Sequence, residues 1–247
     1  MKIERATPNQ APLLLIYGGE GRGKTTLLSK FPSVLAFLLE RGLPRGVSVD
    51  AVGGLDTFEG VMTALRELYA DPGQYKTIGI DTVDAFEPMV LEHVCAENRW
   101  QNIEQAPYGK GYVMADDRWR RFLLALTAIR NKHGISVVLT CHAEVTRVDD
   151  PRAPSFTSYG PRLHKRARGL VMDACDAVLF LAEDLRVTTD DPERTRASAS
   201  ADRYLFTEGR PAFSAKNRFG MPPKIAVPPD FDLTNLTTYW LKEGQAQ

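Results

Sequence analysis

Short runs of consecutive apolar residues alternate along the chain with stretches in which apolar residues recur every three or four positions, and this alternation predicts the architecture. Leu13, Leu14, Leu15, Ile16 and Tyr17 form an unbroken apolar run ending in glycines, the pattern of a strand buried on both faces. A helix is expected over residues 24–31. Residues 34–39 repeat the buried-strand pattern, and residues 57–70 carry Phe58, Val61, Leu65 and Leu68 on one helical face. A third strand is predicted over 77–81, two helices within 84–132 broken at the glycine-rich stretch 108–112, and a fourth strand over 135–140. Regular alternation of strand and helix predicts an α/β fold, a largely parallel sheet flanked by helices.

The last third changes character. Residues 177–181 predict another strand, followed by the polar stretch 186–203, which has no apolar periodicity and reads as a hairpin loop or a mobile excursion. Residues 204–206 and 211–215, separated by Glu208, Gly209 and Arg210, predict a C-terminal antiparallel hairpin. Residues 233–242 close the chain as a short helix, with 244–247 frayed. No internal repeat and no Pro/Ser-rich linker divides the sequence, so one domain is expected over 1–247, with 1–12 as an N-terminal extension.

Composition narrows the function. The 247 residues, 43% of them hydrophobic and 25% charged, suffice for one sizeable core. The formal net charge is zero, so a nucleic-acid partner would have to be held by a local basic patch. Cys95, Cys141 and Cys175 are far apart, with no zinc or redox spacing, which fits a reducing compartment. No signal-like or membrane-spanning run is visible, so a soluble, cytoplasmic protein without a membrane partner is expected.

Gly18, Gly19, Glu20, Gly21, Arg22, Gly23, Lys24 and Thr25 fit G-x-x-x-x-G-K-[ST] in full, after a buried strand and before a helix. Glycines let backbone N–H groups turn inward around phosphates, and the helix N-terminus adds its positive end. Lys24 is expected to contact the β- and γ-phosphates of ATP, Thr25 to ligate Mg2+, and Thr26 to complete the cradle. Asp81 ends a strand at the edge where ligands bind in open α/β sheets, so it is the second Mg2+ candidate; a helix cap is the competing reading. Glu40, at the end of the second strand, is the candidate base for the attacking water, against an exposed surface glutamate.

The octet with glutamate at its third position resembles that of the RecA-type recombinases. Residues 37–40 resemble the family's second strand ending in its catalytic glutamate, residues 80–86 its magnesium-aspartate strand, and residues 214–220 the late strand whose basic residues reach a neighbouring subunit's nucleotide. Residues 137–142 occupy the place of the strand ending in a γ-phosphate sensor. The resemblance covers residues 13–220 and is nearest to phage-encoded RecA-like ATPases that promote single-strand annealing. It implies a homo-oligomer with nucleotide at subunit interfaces, His142 as sensor, Lys216 and Arg218 acting on the neighbour's nucleotide, and, if phage-encoded, a place in the host cytoplasm. His142 also reads as a hydrogen-bonded packing residue. No N-terminal oligomerisation helix is visible before Leu13, unlike the recombinases.

Two segments are candidates for single-stranded DNA. Residues 100–121 combine Tyr108, Lys110 and Tyr112 with two glycines, and residues 147–168 carry Arg162, Lys165, Arg166 and Arg168. By position they match the two DNA-lining loops of RecA-like proteins; composition alone equally describes solvated surface. The rival functions are a P-loop small-molecule or nucleotide kinase, with 186–203 as its lid, and a DNA-binding scaffold switched by ATP without turnover.

Overall fold

The computed structural model describes residues 11–40, 42–188 and 196–240, with backbone only for 185–188 and 196–201. Most of the N-terminal extension, the C-terminal tail and the centre of the polar stretch 186–203 lie outside these residues. In chain order the elements are β1 (Leu13–Gly18), α1 (Lys24–Leu28), β2 (Val34–Leu38), β3 (Asp50–Val52), α2 (Phe58–Ala70), β4 (Thr77–Asp81), α3 (Val83–Asn98), α4 (Lys110–His133), β5 (Ser136–Val148), β6 (Phe156–Pro161), α5 (Lys165–Ala174), β7 (Ala177–Thr188), β8 (Arg196–Phe206), β9 (Lys216–Asn217), β10 (Lys224–Ala226) and α6 (Thr234–Thr237).

Among the described residues the strands form one sheet in the order β10-β8-β7-β1-β5-β4-β2-β3. From β7 to β3 every neighbour is parallel, while β8, β10, β6 and β9 add on antiparallel. The sheet is buried on both sides, which explains the unbroken apolar runs. Leu13, Leu15 and Tyr17 of β1 face a core shared with α2, α3, α4 and α5, in which Trp119 and Phe122 are fully enclosed. Leu14 and Ile16 face the other core, with Leu27 and Leu28 of α1 and the late residues Val227, Phe231, Leu236 and Trp240.

Several elements depart from the sequence expectations. The helix after the glycine loop ends at Leu28 instead of residue 31. The fourth strand runs on to Val148, because its second half leaves the parallel sheet and pairs antiparallel with β6. The expected loop at 147–168 is therefore a hairpin followed by α5. Val145, Thr146, Val148, Phe156, Thr157 and Tyr159 are the β-branched and aromatic residues that favour it. The polar stretch 186–203 is paired antiparallel at both described ends, as part of the ribbon of β7 and β8, which agrees with the hairpin and not the excursion. Residues 211–215 form no strand: Pro211 offers no N–H, and Arg210 and Phe213 close a turn with reciprocal backbone bonds, leaving Phe213 a single bridge to Tyr159. The antiparallel extension is built from β7, β8 and β10 instead. Edge strand β3 carries two exposed residues and no apolar run, so nothing in the pattern announced it.

A charged pin locks the start of this arrangement. Asp176 accepts from the Leu13 N–H at 3.0 Å and pairs with Arg130 of α4 at 2.8 Å, while Arg130 Nε donates to the Ala11 carbonyl at 2.6 Å. Removing one partner leaves an uncompensated charge in a nearly closed site. Asp176→Ala is expected to cost about 3 kcal/mol of unfolding free energy, measured by urea denaturation followed by circular dichroism.

Candidate nucleotide site

The register of the parallel strands brings five strands to one edge of the sheet. Gly18 lies opposite His142 on one side and Leu181 on the other, and Leu38 lies opposite Asp81. The loop 18–25 leaves β1 at this edge. Gly21 and Gly23 take left-handed φ values of 67° and 88°, which a side chain would strain. A Cβ on Gly18 would collide with the Leu181 backbone oxygen, so the parallel pair closes only around a glycine.

Lys24 is buried and folds back over its own loop, donating to the carbonyls of Gly18 at 3.1 Å and Gly19 at 2.9 Å. Burial lowers its pKa, opposed by the charges of Asp84, Asp81 and Glu40, so three carboxylates surround one ammonium. Thr25 donates its hydroxyl to Asp81 at 2.8 Å, and the other Asp81 oxygen accepts from Thr140 of β5. Two hard oxygen ligands side by side, with the rest of the shell left to phosphate and water, is the donor set Mg2+ takes in phosphate sites. Among the described residues no group of three or more His, Cys, Asp or Glu could hold a metal, so other metal centres find no support there.

Glu40, half exposed, stands 4.0 Å from His142 Nε2. The histidine is fixed from behind by Asp84 of α3, which accepts from the His142 backbone N–H at 3.0 Å and lies 2.9 Å from its Nδ1. Nε2 is turned towards Glu40, while Nδ1 also lies 3.1 Å from the Arg162 guanidinium that shares Asp84. Arg162, just beyond β6, reaches the same carboxylate at 2.7 Å and the P-loop residue Glu20 at 3.6 Å. Burial alone would raise the Asp84 carboxyl; hydrogen bonds from the His142 N–H, the His142 ring and the Arg162 guanidinium outweigh it and hold the group at about 2.

The remaining candidates fall into two places. Tyr112 is helical, not in the break, and its ring stacks on His164 at 4.2 Å, so the starts of α4 and α5 meet and the two segments read as separate DNA candidates share one surface. Tyr108 is 99% exposed on a left-handed backbone, and Lys110 and Lys165 are exposed. Arg166 is paired with Asp116 at 2.8 Å, and Arg168 with Glu144. Arg162 is separated from this group, at the nucleotide edge. Lys216 and Arg218 lie at the opposite edge of the sheet, beside the start of β7. There Lys216 donates to the carbonyls of Met172 and Asp173 at the end of α5, and Arg218 pairs with Asp176 at 3.7 Å. The sequence reading passed over Asp84 and Thr140. A carboxylate three residues after Asp81, at the first turn of a helix, was the only signal for the former.

Residues 11–219 match the AAA domain family. The chain belongs to this family. The strand order across β7, β1, β5, β4 and β2, with the P-loop after the central strand, is that of a RecA-like P-loop ATPase. A curated relative, the SPbeta prophage-derived uncharacterized protein YorG of Bacillus subtilis (strain 168), is 25% identical over 181 residues, covering 71% of this chain. The chain spans about half of that relative's length, 52%. The crystal structure of the RadB recombinase matches with a TM-score of 0.46 and 14% identity, over 79% of this chain and 80% of that one, a likeness too remote to transfer any property. Among the described residues no helix is long and apolar enough to cross a membrane.

The paired state of Asp84 has a pH signature. Its ordinary pKa is 3.8 and its folded value about 2, so the ionised network stabilises the fold above the ordinary value and fades as pH falls through the folded one. Near neutrality the wild type is expected to exceed Asp84→Asn by about 2 kcal/mol, and urea unfolding at stepped pH should show the gap closing between about pH 4 and about pH 2.

Proposed function

We propose that this protein binds and hydrolyses ATP with Mg2+ and couples the cycle to single-stranded DNA in recombination or strand annealing. The observation that carries the reading is the convergence of Lys24, the Thr25–Asp81–Thr140 chain and the Glu40–His142 pair at one sheet edge. Loop N–H groups and Lys24 bind and orient the phosphates, with Lys24 leaving its own loop carbonyls for the terminal ones. Thr25 and Asp81 would hold Mg2+, which would supply positive charge against the phosphates. Glu40 orients a water and takes its proton as that oxygen bonds to the γ-phosphorus and the bond to the β–γ bridging oxygen breaks. His142, anchored by Asp84, holds the Glu40 carboxylate on line and senses the γ-phosphate.

The DNA half of the proposal is supported by the joint surface of α4 and α5. A fully exposed aromatic ring at Tyr108, the Tyr112–His164 stack and the cations of Lys110, Lys165, Arg166 and Arg168 are groups that stack bases and offset phosphates. Lys216 and Arg218 face away from their own chain's loop, in keeping with action on a neighbour's nucleotide in a homo-oligomer. A phage origin and a host-cytoplasm location are in keeping with the prophage-derived relative.

ATP turnover measured with and without a single-stranded oligonucleotide tests the reading. DNA is expected to raise the rate, and the rate is expected to climb more than linearly with protein concentration; turnover indifferent to DNA would favour a kinase. Lys24→Ala should lose nucleotide binding and turnover. Glu40→Gln should bind ATP normally and hydrolyse it about 100-fold more slowly; lost binding would make Glu40 structural. Neutralising Lys110, Lys165, Arg166 and Arg168 together should weaken binding to oligonucleotides of any sequence and flatten its salt dependence, because phosphate contacts release counterions without reading bases.

A further inference from the structure

Arg162 stands where neither a packing residue nor a DNA contact is needed. Its backbone N–H donates to the His142 carbonyl at 2.8 Å, which makes it the last rung of the hairpin formed by β5 and β6. Its guanidinium spans two parts of the nucleotide edge. NH2 and Nε bind Asp84 Oδ2 at 2.7 and 3.1 Å, and NH1 is 3.6 Å from the Glu20 carboxylate on the P-loop. The two ends are unequal. The Asp84 side chain is 5% exposed, whereas that of Glu20 is 80% exposed and that of the arginine itself 48%. An ion pair so exposed contributes little, so the Glu20 end releases at low cost while the Asp84 end holds.

We propose that Arg162 is a phosphate-contacting cation supplied in cis: when nucleotide occupies the P-loop, its NH1 side exchanges Glu20 for the terminal phosphate while its NH2 side stays on Asp84. This rests on the ATP-binding reading of the loop. No covalent change is involved in the exchange. During hydrolysis the guanidinium offsets charge developing on the γ-phosphoryl oxygens, the role arginine fingers fill in other phosphoryl-transfer sites. Since Arg162 closes the hairpin ladder, the same exchange links the presence of the terminal phosphate to the position of β5 and β6, whose tip carries Arg152 with its side chain 88% exposed.

The test uses the full chain with Mg2+, comparing ATP, ADP and a non-hydrolysable ATP analogue. A fluorescent ATP derivative reads binding, steady-state turnover reads kcat and KM, and mass spectrometry follows tryptic cleavage after Arg152. In the wild type the analogue, and not ADP, should change the cleavage rate at Arg152. Arg162→Ala should retain nucleotide binding within about threefold, lose tenfold or more in kcat, and show the same cleavage rate with every nucleotide. Arg162→Lys, and guanidinium ion added to the alanine variant, should restore part of kcat. A purely structural arginine would lower stability without a kcat-selective loss or rescue by guanidinium. Wild-type kcat in Arg162→Ala with nucleotide-dependent cleavage intact overturns the inference alone. Undiminished ATP binding by Lys24→Ala would instead overturn the site reading, and the inference with it.

Discussion

Parallel pairing of β1 with β5 on one side and β7 on the other is the constraint from which the site follows. A parallel neighbour ends at the same edge as its partner, so fixing Gly18 opposite both His142 and Leu181 brings the glycine loop, His142 and, one strand further, Asp81 to a common rim. The fit tolerates little: a side chain at Gly18 would push β7 away by its backbone oxygen. Side chains then fine-tune what the register has placed. Thr25 and Thr140, from a helix and a strand that share no sequence proximity, orient the two oxygens of Asp81.

The second layer of the site is electrostatic. Lys24, Glu40, His142, Asp81, Asp84 and Arg162 form a set of acidic and basic groups in reach of one another, and Asp84 is the carboxyl with the most donors. A buried carboxylate satisfied this fully behaves as a rigid post. Exposed members such as Glu20 and Glu40 keep the freedom to change partners. Stiffness behind and mobility in front is the division of labour that phosphoryl-transfer sites require.

The parallel core and the P-loop were legible because their signals are local: a doubly buried strand is an apolar run, and a phosphate cradle is a fixed spacing of glycines, lysine and threonine. Long-range choices were not. Nothing within residues 136–148 says where parallel pairing stops and the hairpin begins, because β6 supplies the partner for the second half. The outer part of the β7 and β8 ribbon is polar and lacks the apolar alternation on which strand reading depends, so only residues 177–181 and 204–206 read as strands. Arg162 was grouped with Lys165, Arg166 and Arg168 because neighbours in sequence look like neighbours in space. A turn between β6 and α5 in fact sends it to the nucleotide rim. Asp84 carried no motif of its own, and only its partners from β5 and from the end of β6 give it meaning.

Tyr17, the last residue of β1 before its glycine end, is fully buried, and its hydroxyl donates to the Ser214 carbonyl at 2.6 Å and lies 3.2 Å from that of Tyr159. Those partners are 197 and 142 residues further along the chain. A phenol in an apolar core needs its acceptor, so the strand that precedes the glycine loop is held in its setting by residues remote from it in sequence. The loop's local motif is thus seated by a contact of very long range, and a chain in which that contact has not formed carries the motif without its final support.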